Sequence, residues 1–438
     1  MHSKSEMRSA SMESNSLIQS ADGLSSNSAL SVFDDNLGLP RHRWYTFKEG
    51  FSDRLVRLAV DSICVRGRKI RILDPFAGSG TTAVSAGRLG HFATAIEVNP
   101  FLRFAAAAKC APAIKNRGPA LNCLSSILAA SRLERASPLE EVSTFTQRED
   151  AEKWLFNRSV LRGFEAIDAT LVRAGGIRTP LRLALFSSLM DCCNAKRDGK
   201  CLRYKRGWKS MGLDSESLRT RFCDRAREVI DDLLEHAFSS QGLQVLEGDC
   251  RRTLQSLRAH TYDLIVTSPP YLNSFDYSDV YRPELFAGRF VRSNADLRKI
   301  RLRTIRSHVQ VRWEPSTRVV SRRVSRIVRQ LEKKALWDNR LPSMVQSYFA
   351  DIADVLSESH RVMKKGGCAW FVVSTSAYGG VHIPVDTMLA ELGVNSGWKL
   401  REILCLRNLR ASVQHWKRHL EKGTSPPLRE SLVILEAK

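Results

Sequence analysis

Two short stretches of this sequence contain residue types suited to holding a ligand and to chemistry on it. Residues 74–82 read DPFAGSGTT, and residues 267–271 read TSPPY. Glycines allow tight turns in which the backbone comes close to a ligand, and consecutive prolines stiffen the second stretch. A phosphate-binding P-loop is disfavoured, because Thr81 and Thr82 follow Gly80 and no lysine is present to reach a phosphate. A glycine loop alone is weak evidence, so the pair of motifs carries the functional signal.

The elements that position these motifs are indicated by the apolar runs before them. Residues 69–73 precede the first motif and residues 262–266 precede the second. Short apolar runs that end in glycine or proline signals are typical of buried parallel strands. In an open parallel sheet, ligands bind beyond the carboxyl ends of the strands. The sequence therefore predicts that both motifs meet at one edge of an α/β sheet.

A third feature, Glu97, ends a second predicted strand over residues 92–96. An acidic residue about 20 positions after a glycine loop, at the end of the next strand, can accept hydrogen bonds from both ribose hydroxyls of a nucleotide-like ligand. Asn99 and Pro100 then begin a predicted helix. The alternative, a surface carboxylate, is less favoured because of this position in the strand order.

Together the DPFAGSGTT and TSPPY motifs resemble the amino-methyltransferases of DNA, which methylate cytosine N4 or adenine N6 with S-adenosyl-L-methionine as cofactor. The resemblance implies an α/β fold of the class I, Rossmann-like methyltransferase type, with a seven-stranded, mostly parallel sheet and added helical and basic insertions. Adenine-N6 enzymes usually carry Asp or Asn at the position of Ser268. The resemblance therefore implies cytosine N4, and adenine N6 remains open.

The resemblance also implies roles for individual residues. Ser268 and the carbonyl of Pro269 would accept hydrogen bonds from the exocyclic amine, and Tyr271 would stack on a base flipped out of the duplex. Asp249, which ends a third predicted strand, would contact the adenine amine of the cofactor. The implied catalytic residues are Ser268, Pro269, Pro270 and Tyr271. The implied cofactor-binding residues are Phe51, Ser52, Asp74, Pro75, Phe76, Ala77, Gly78, Ser79, Gly80, Thr81, Thr82, Glu97, Asn99 and Asp249. Methyl transfer is then direct, with no metal and no covalent intermediate.

The charge of the chain favours a polyanionic partner, and the resemblance implies that this partner is double-stranded DNA. The formal net charge is +22, and residues 282–340 hold 17 Lys or Arg against five acids. Residues 194–209 hold seven Lys or Arg against one Asp, with Tyr204 and Trp208 between them; a solvated loop is an equal alternative there. The predicted nucleic-acid-binding residues are Lys200, Arg203, Lys205, Arg206, Arg322, Arg323, Arg326 and Arg329. The last four belong to a predicted amphipathic helix over about 318–335, whose other face is apolar through Val320, Val324, Ile327, Val328 and Leu331.

Composition shifts, together with the parts of a methyltransferase domain that the resemblance implies, predict six segments along the 438 residues. Residues 1–38 form a disordered, Ser-rich tail, and residues 39–112 form the cofactor-binding half of the methyltransferase domain. Residues 113–240 form a helical insertion, a candidate target-recognition region. Residues 241–281 hold the catalytic loop, residues 282–340 form a basic insertion that contacts DNA, and residues 341–438 complete the domain.

Other functions and settings are disfavoured by what the sequence lacks. The ten cysteines form no C-x-x-C pair and none follows a proline, so neither a disulfide framework nor a cytosine-C5 nucleophile is indicated. No apolar run reaches ~18 residues, and the start lacks a signal core. We expect a cytoplasmic, nucleoid-associated bacterial or archaeal protein in a restriction–modification or related defence setting. A cognate restriction endonuclease is a candidate partner. An RNA methyltransferase and a non-catalytic nucleic-acid-binding protein are the alternatives, and the oligomeric state is left open.

Overall fold

The computed structural model describes residues 18–19, 28–63, 67–142, 144–147, 152–198, 201–235, 237–409 and 427–438. A central sheet of eight strands is flanked by helices on both faces. In chain order, all strands are β1 Ile18–Gln19, β2 Arg71–Asp74, β3 Phe92–Glu97, β4 Ala195–Asp198, β5 Cys201–Tyr204, β6 Leu243–Glu247, β7 Tyr262–Thr267, β8 Met363–Ser374, β9 Ser376–Tyr378, β10 Val381–Ile383, β11 Trp398–Asn408 and β12 Arg429–Ala437.

The order of the strands in the central sheet is β1-β11-β12-β8-β7-β2-β3-β6. Strands β6, β3, β2, β7 and β8 pair in parallel, whereas β12 is antiparallel to both β8 and β11. The two-residue β1 adds to the outer edge beside β11. Apart from β1, the sheet consists of the seven strands that the sequence predicts, so the predicted α/β fold class is confirmed.

The α-helices cover both faces of the sheet and build the insertions. They are α1 Asp53–Ile63, α2 Thr81–Arg88, α3 Pro100–Lys109, α4 Arg117–Ala130, α5 Arg158–Thr170, α6 Arg178–Asp191, α7 Ser215–Asp232, α8 Cys250–Thr253, α9 Tyr277–Val280, α10 Arg282–Ala287, α11 Asn294–Arg303, α12 Arg322–Glu332, α13 Leu341–Val362 and α14 Val385–Asn395. No helix in the described part of the chain is long and apolar enough to span a membrane.

Strand alternation explains why two separate cores form. Successive side chains of a strand point to opposite faces. Ile72 of β2 therefore packs with α1 and α2, whereas Leu73 packs with the layer of α12, α13 and α14. Strand β7 repeats the pattern with Leu264 and Ile265. Both strands are thus buried on both faces, and their carboxyl ends are fixed side by side.

The first insertion has a helical core of its own, which continues into the main domain. Helices α5, α6 and α7 pack together, and the hairpin β4–β5 lies beside them. The apolar side chains of α5 and of the turn after it are buried, at Val160, Leu161, Phe164, Ile167 and Leu171. The helical insertion is therefore packed against the main domain as part of one continuous core.

The ordered chain begins earlier than the sequence indicates. Residues 28–38, assigned above to the disordered tail, form short 3-10 turns. Phe33 is buried, and the side chain of Asn36 bonds the carbonyl of Phe51 at 3.0 Å and the amide of Asp53 at 2.7 Å. These contacts hold the turns against the start of α1. Residues 1–17 and 20–27 lie outside the described residues, so disorder there stays a prediction.

Candidate active site

A cleft lies at the carboxyl edge of β2, β3 and β7, and both sequence motifs line it. The hydroxyl of Thr267 donates to Oδ1 of Asp74 at 2.6 Å, which joins the end of β7 to the end of β2. The predicted site residues on the cleft wall are Phe51, Pro75, Phe76, Ala77, Gly78, Thr81, Glu97, Asn99, Ser268, Pro269, Pro270 and Tyr271. The structure therefore brings the two motifs into one cavity, although they are at least 185 positions apart in the sequence.

Other predicted cofactor residues lie behind this wall and support it: Ser52, Asp74, Ser79, Gly80 and Thr82. Asp74 is buried, and its Oδ1 also accepts the amide of Phe76 at 3.1 Å. Burial raises the pKa of Asp74 to about 6. Since the carboxylate bonds both loops, Asp74 acts mainly by fixing their relative position.

Two glycines of the first motif are required by the packing of the protein itself. Gly78 and Gly80 have positive φ angles of 52° and 88°. A Cβ added at Gly78 would lie 2.6 Å from the ring of Phe47, and one at Gly80 would lie 2.8 Å from Cβ of Ala106 on α3. The sequence predicts close approach to the ligand as the reason for these glycines. The structure supplies a different one, because protein atoms fill the space that a side chain at either position would need.

Glu97 is held by backbone amides with its carboxylate on the cleft wall. The amide of Gly78 donates to Oε2 and that of Asn99 to Oε1, both at 2.8 Å. Burial raises the pKa of Glu97 to about 7. A carboxylate has about four lone-pair sites, so two such bonds leave acceptors for a ligand.

Asn99 caps α3 through its side-chain oxygen, and its side-chain nitrogen is an unpaired donor. Its Oδ1 accepts the amides of Phe101 at 3.0 Å and Leu102 at 3.3 Å. Its Nδ2 is buried, and no hydrogen-bond partner for that nitrogen is found in the described part of the chain. An unpaired buried donor on the wall of a cleft is a candidate contact for a bound molecule.

The second motif is fixed by strands β8 and β12. The hydroxyl of Ser268 donates to the carbonyl of Val372 at 3.1 Å. The hydroxyl of Tyr271 donates to Oε1 of Glu430 at 2.6 Å, and Arg407 bonds the other oxygen of that buried carboxylate at 2.5 Å. Burial raises the pKa of Tyr271 well above its ordinary value, so the phenol is neutral. Ser268 has thus used its hydrogen and retains its acceptor lone pairs.

Sequence reasoning missed several residues of the cleft. Phe47 and Glu49 come from the segment before α1, and Tyr277 follows the second motif. A further wall comes from the basic insertion, at Ile300, Arg303, Thr304, Ile305, Ser307 and His308. The amide of Ser274 donates to the carbonyl of Ser307 at 3.0 Å and ties this wall to the loop after the second motif. No sequence pattern marks residues 300–308 as part of a site.

Asp249 lies between two residues of the cleft wall, Gly248 and Cys250. Its carboxylate receives the guanidinium of Arg251, with Nε at 2.9 Å and Nη2 at 2.7 Å. Arg251 also pairs with Asp351 of α13 at 2.8 Å. The predicted contact of Asp249 with the cofactor stays a prediction, and the same carboxylate already has a structural partner.

The predicted basic face of α12 is free for a ligand. Arg322, Arg326 and Arg329 are exposed and Arg323 is half-buried. Among the described residues, no carboxylate lies within ion-pair distance of these four. The opposite face is buried through Val324, Ile327, Val328 and Leu331. The helix therefore presents uncompensated positive charge to solvent.

The predicted nucleic-acid-binding residues in and beside the hairpin β4–β5 are less available to bind a nucleic acid. Arg203 pairs with Asp198 at 2.9 Å, and Nζ of Lys205 donates to the carbonyl of Asp191 at 3.0 Å. Trp208 packs on Tyr204 and Trp154, with ring centroids 5.1 and 4.6 Å apart, so its ring serves a local cluster. Arg206 is exposed, and Lys200 lies outside the described residues.

Fold and site together define a class of protein. The antiparallel β12 lies between β8 and β11 in an otherwise mostly parallel sheet, and the glycine loop faces the prolyl loop across the cleft at the sheet's carboxyl edge. This arrangement is a Rossmann-like methyltransferase fold.

The chain is also similar in sequence to known methyltransferases, although no protein-family model matches it. It is 26% identical over 418 residues to the Type II methyltransferase M.AvaI of Nostoc sp. and of Anabaena variabilis, covering 85% of this chain and 82% of the relative. It is 23% identical over 461 residues to the Type II methyltransferase M.BsoBI of Geobacillus stearothermophilus, covering 94% and 88%. Among solved structures, TrmN from Thermus thermophilus matches 88% of this chain and 49% of that chain, with 10% identity and a TM-score of 0.28, which is too low to carry an argument.

Proposed function

We propose that this protein is a DNA methyltransferase that transfers a methyl group from S-adenosyl-L-methionine to the exocyclic amine of a flipped base, cytosine N4 in preference to adenine N6. The observation that carries the proposal is the single cleft lined by both the glycine loop and Ser268-Pro269-Pro270-Tyr271. Similarity to two Type II methyltransferases over most of the chain supports the same class of enzyme. The net charge of +22 suits a polyanionic substrate.

The residues of the cleft fit the cofactor. Glu97 has acceptor sites for ribose hydroxyls, and its orientation is fixed by two backbone amides. The unpaired Nδ2 of Asn99 offers a further donor beside it. When bound, the cofactor supplies an electrophilic methyl group on a sulfonium.

The second motif is suited to activate an amine. The exocyclic amine of cytosine or adenine is a poor nucleophile, because its lone pair is delocalised into the ring. Two acceptors aimed at its N–H groups draw the nitrogen toward tetrahedral geometry and free that lone pair. The oxygen of Ser268, whose hydrogen is committed to Val372, and the carbonyl of Pro269 are the proposed acceptors. Tyr271, held through its hydroxyl by Glu430, is proposed to stack on the base.

Access to that amine requires base flipping, because a duplex hides the target atom. We assign the free arginines of α12 to backbone phosphates, which position the duplex without specifying sequence. By analogy with the Type II names of the relatives, the setting we propose is restriction–modification, with a cognate endonuclease as partner.

The test is a methyl-transfer assay read by mass. Purified protein is incubated with methyl-labelled cofactor and, in separate reactions, with DNA or RNA from a host that lacks the gene, and each nucleic acid is digested to nucleosides. Labelled N4-methylcytosine supports the proposal, and N6-methyladenine alone overturns the base assignment. Label in RNA but not in DNA favours the RNA alternative. Cofactor binding without label in either would indicate a non-catalytic protein. A parallel reaction with Ser268→Ala controls for contaminating enzymes.

A further inference from the structure

A second pocket lies directly behind the wall of the cleft. Lys196 and Arg197 of its lining belong to the basic stretch 194–209, but no residue of the lining is among the predicted site residues. It is bounded by the segment before α1, the end of α6, the strand β4 and one side chain of α7. The lining includes four cationic side chains and one carboxylate: Lys48, Lys196, Arg197, Arg225 and Asp191.

The two pockets share a wall one peptide chain thick. Phe47 and Glu49 line the cleft, whereas Thr46 and Lys48 line the second pocket. Residues 47–50 form a turn, in which the amide of Gly50 donates to the carbonyl of Phe47 at 3.1 Å, and neighbouring side chains of this segment therefore line different cavities. A single chain is on the order of 5–10 Å across, which is comparable to the length of one nucleotide.

Two of the four cations are compensated within the protein. Arg197 is buried against the carboxylate of Glu284, and its Nη2 and Nε also bond the hydroxyl of Tyr45 at 2.8 Å and the carbonyl of Val280 at 3.1 Å. Arg225 pairs with Asp191 at 2.7 Å. Neither guanidinium is therefore free to take a ligand charge by itself.

Lys48 and Lys196 remain uncompensated. Both are exposed at the pocket, and in the described part of the chain no carboxylate lies within ion-pair distance of either ammonium. The hydroxyl of Thr46 adds a neutral donor. The pocket thus presents two free positive charges and hydrogen-bond donors around a small space, which is the chemistry that receives a phosphodiester.

We propose that the second pocket binds a backbone phosphate of the DNA whose flipped base occupies the cleft. This inference rests on the proposed function, since it takes the cleft as the base site. The shared wall then sets the distance between the phosphate and the base, and Lys48 and Lys196 hold the strand next to the extruded nucleotide.

The experiment compares the double variant Lys48→Met, Lys196→Met with a matched control, Lys365→Met, Lys399→Met. The control lysines are also exposed, but they lie near the amino ends of β8 and β11, at the opposite edge of the sheet. Duplex affinity is measured across salt concentrations. Removing one phosphate contact should reduce the slope of log affinity against log salt by about 0.9 in the pocket variant, and the control should keep the wild-type slope. Calorimetric affinity for S-adenosylmethionine should stay the same in both.

A second arm locates the phosphate. Each diester of the duplex is replaced in turn by an uncharged methylphosphonate. One position beside the methylated base should weaken binding of the wild type and have no effect on the pocket variant. The inference is overturned if the pocket variant keeps the wild-type slope and methylphosphonate pattern. If the wild type binds no duplex, both the proposed function and this inference are overturned. If the wild type methylates DNA normally and the pocket variant binds duplex as the wild type does, only this inference is overturned.

Discussion

The hydroxyl of Ser268 has one hydrogen to donate, and the carbonyl of Val372 receives it at 3.1 Å. In the proposed function, this oxygen would therefore meet the substrate amine as an acceptor. A hydroxyl in another orientation would offer its hydrogen to the amine and gain nothing for catalysis. The adjacent strand β8 thus orients the hydroxyl of Ser268 for the proposed role.

We expect Ser268→Ala to slow methyl transfer by two orders of magnitude or more, because it removes an acceptor needed as the amine changes geometry. Removal of a comparable transition-state interaction costs ~2.7–4 kcal/mol in oxyanion holes. Single-turnover kinetics would measure the change. Affinities for cofactor and duplex serve as controls and should stay near those of the wild type. An unimpaired rate would show that Ser268 does not contact the amine.

Glu97 provides a residue-scale prediction about pH. Burial raises its pKa from 4.5 to about 7. The protonated form is therefore favoured by folding, and this contribution to stability is present below about pH 4.5 and is lost as the pH rises through about 7. Ribose hydroxyls donate to the ionised form, so cofactor binding should strengthen over the same interval.

Calorimetry between about pH 5 and 8 tests this, with Glu97→Gln as the comparison. The wild type should bind cofactor more tightly as pH rises and should release protons on binding, whereas the Gln variant should bind weakly with little pH dependence. Asp74, with its pKa raised to about 6, titrates in both proteins and so does not produce the difference. If cofactor affinity depends on pH equally in the two proteins, Glu97 is not the acceptor for the ribose hydroxyls.

At the scale of elements, the turn between β2 and α2 depends on close contact with α3. Gly80 has φ 88°, and an added Cβ would lie 2.8 Å from Cβ of Ala106. The substitution Gly80→Ala should destabilise the fold by ~1–2 kcal/mol from backbone conformation alone, with steric overlap added. Chemical denaturation would measure it. Adding Ala106→Gly should recover the steric part only. A variant of normal stability that fails to bind cofactor would indicate instead that the ligand occupies this space.

One face of α12 is apolar and buried, and the opposite face carries four arginines. Changing Arg322, Arg323, Arg326 and Arg329 together to Gln should leave the fold intact, because the buried face is untouched. For every phosphate that the variant no longer binds, the salt slope of duplex binding should fall by about 0.9. The quadruple Arg→Lys variant retains the charges and should keep most of the slope. If the Gln variant keeps the wild-type slope, the face is only solvated.

At the scale of the whole molecule, one ionic network connects the two sides of the cleft. Arg251 bonds Asp249 near the predicted cofactor site and pairs with Asp351 of α13. Asp351 is buried and also receives Arg306 at 2.7 Å, next to the wall formed by Ser307 and His308. The network joins the segment after β6, beside the cleft, to the basic insertion.

We therefore expect cofactor and DNA to affect each other's binding through Arg251. Cofactor affinity is measured with and without duplex, and duplex affinity with and without cofactor. Reciprocity requires the same factor in both, typically about 5–150-fold where sites are coupled. Arg251→Met should move this factor toward one. Arg318→Met is the matched control, because Arg318 pairs with the exposed Asp354 of the same helix α13. An unchanged factor in Arg251→Met would limit the network to a structural role.

The sequence alone was sufficient for the central sheet, the two motif loops and the amphipathic α12. Each depends on local information: apolar runs of strand length, glycine and proline signals after them, and a helical spacing of Val324, Ile327, Val328 and Leu331. Motifs at the ends of parallel strands must meet at one edge, so their proximity also followed from the sequence.

Only the tertiary structure decided which distant side chains complete the site. The wall at residues 300–308, the network of Arg251 and Asp351, and the pocket behind residues 45–49 all join segments far apart in the chain. It also decided that Trp208 packs on Trp154 and that residues 28–38 cover the start of α1. Such partners follow from long-range packing and burial, which no local period or spacing encodes, since the same residue types occur equally on solvated surfaces.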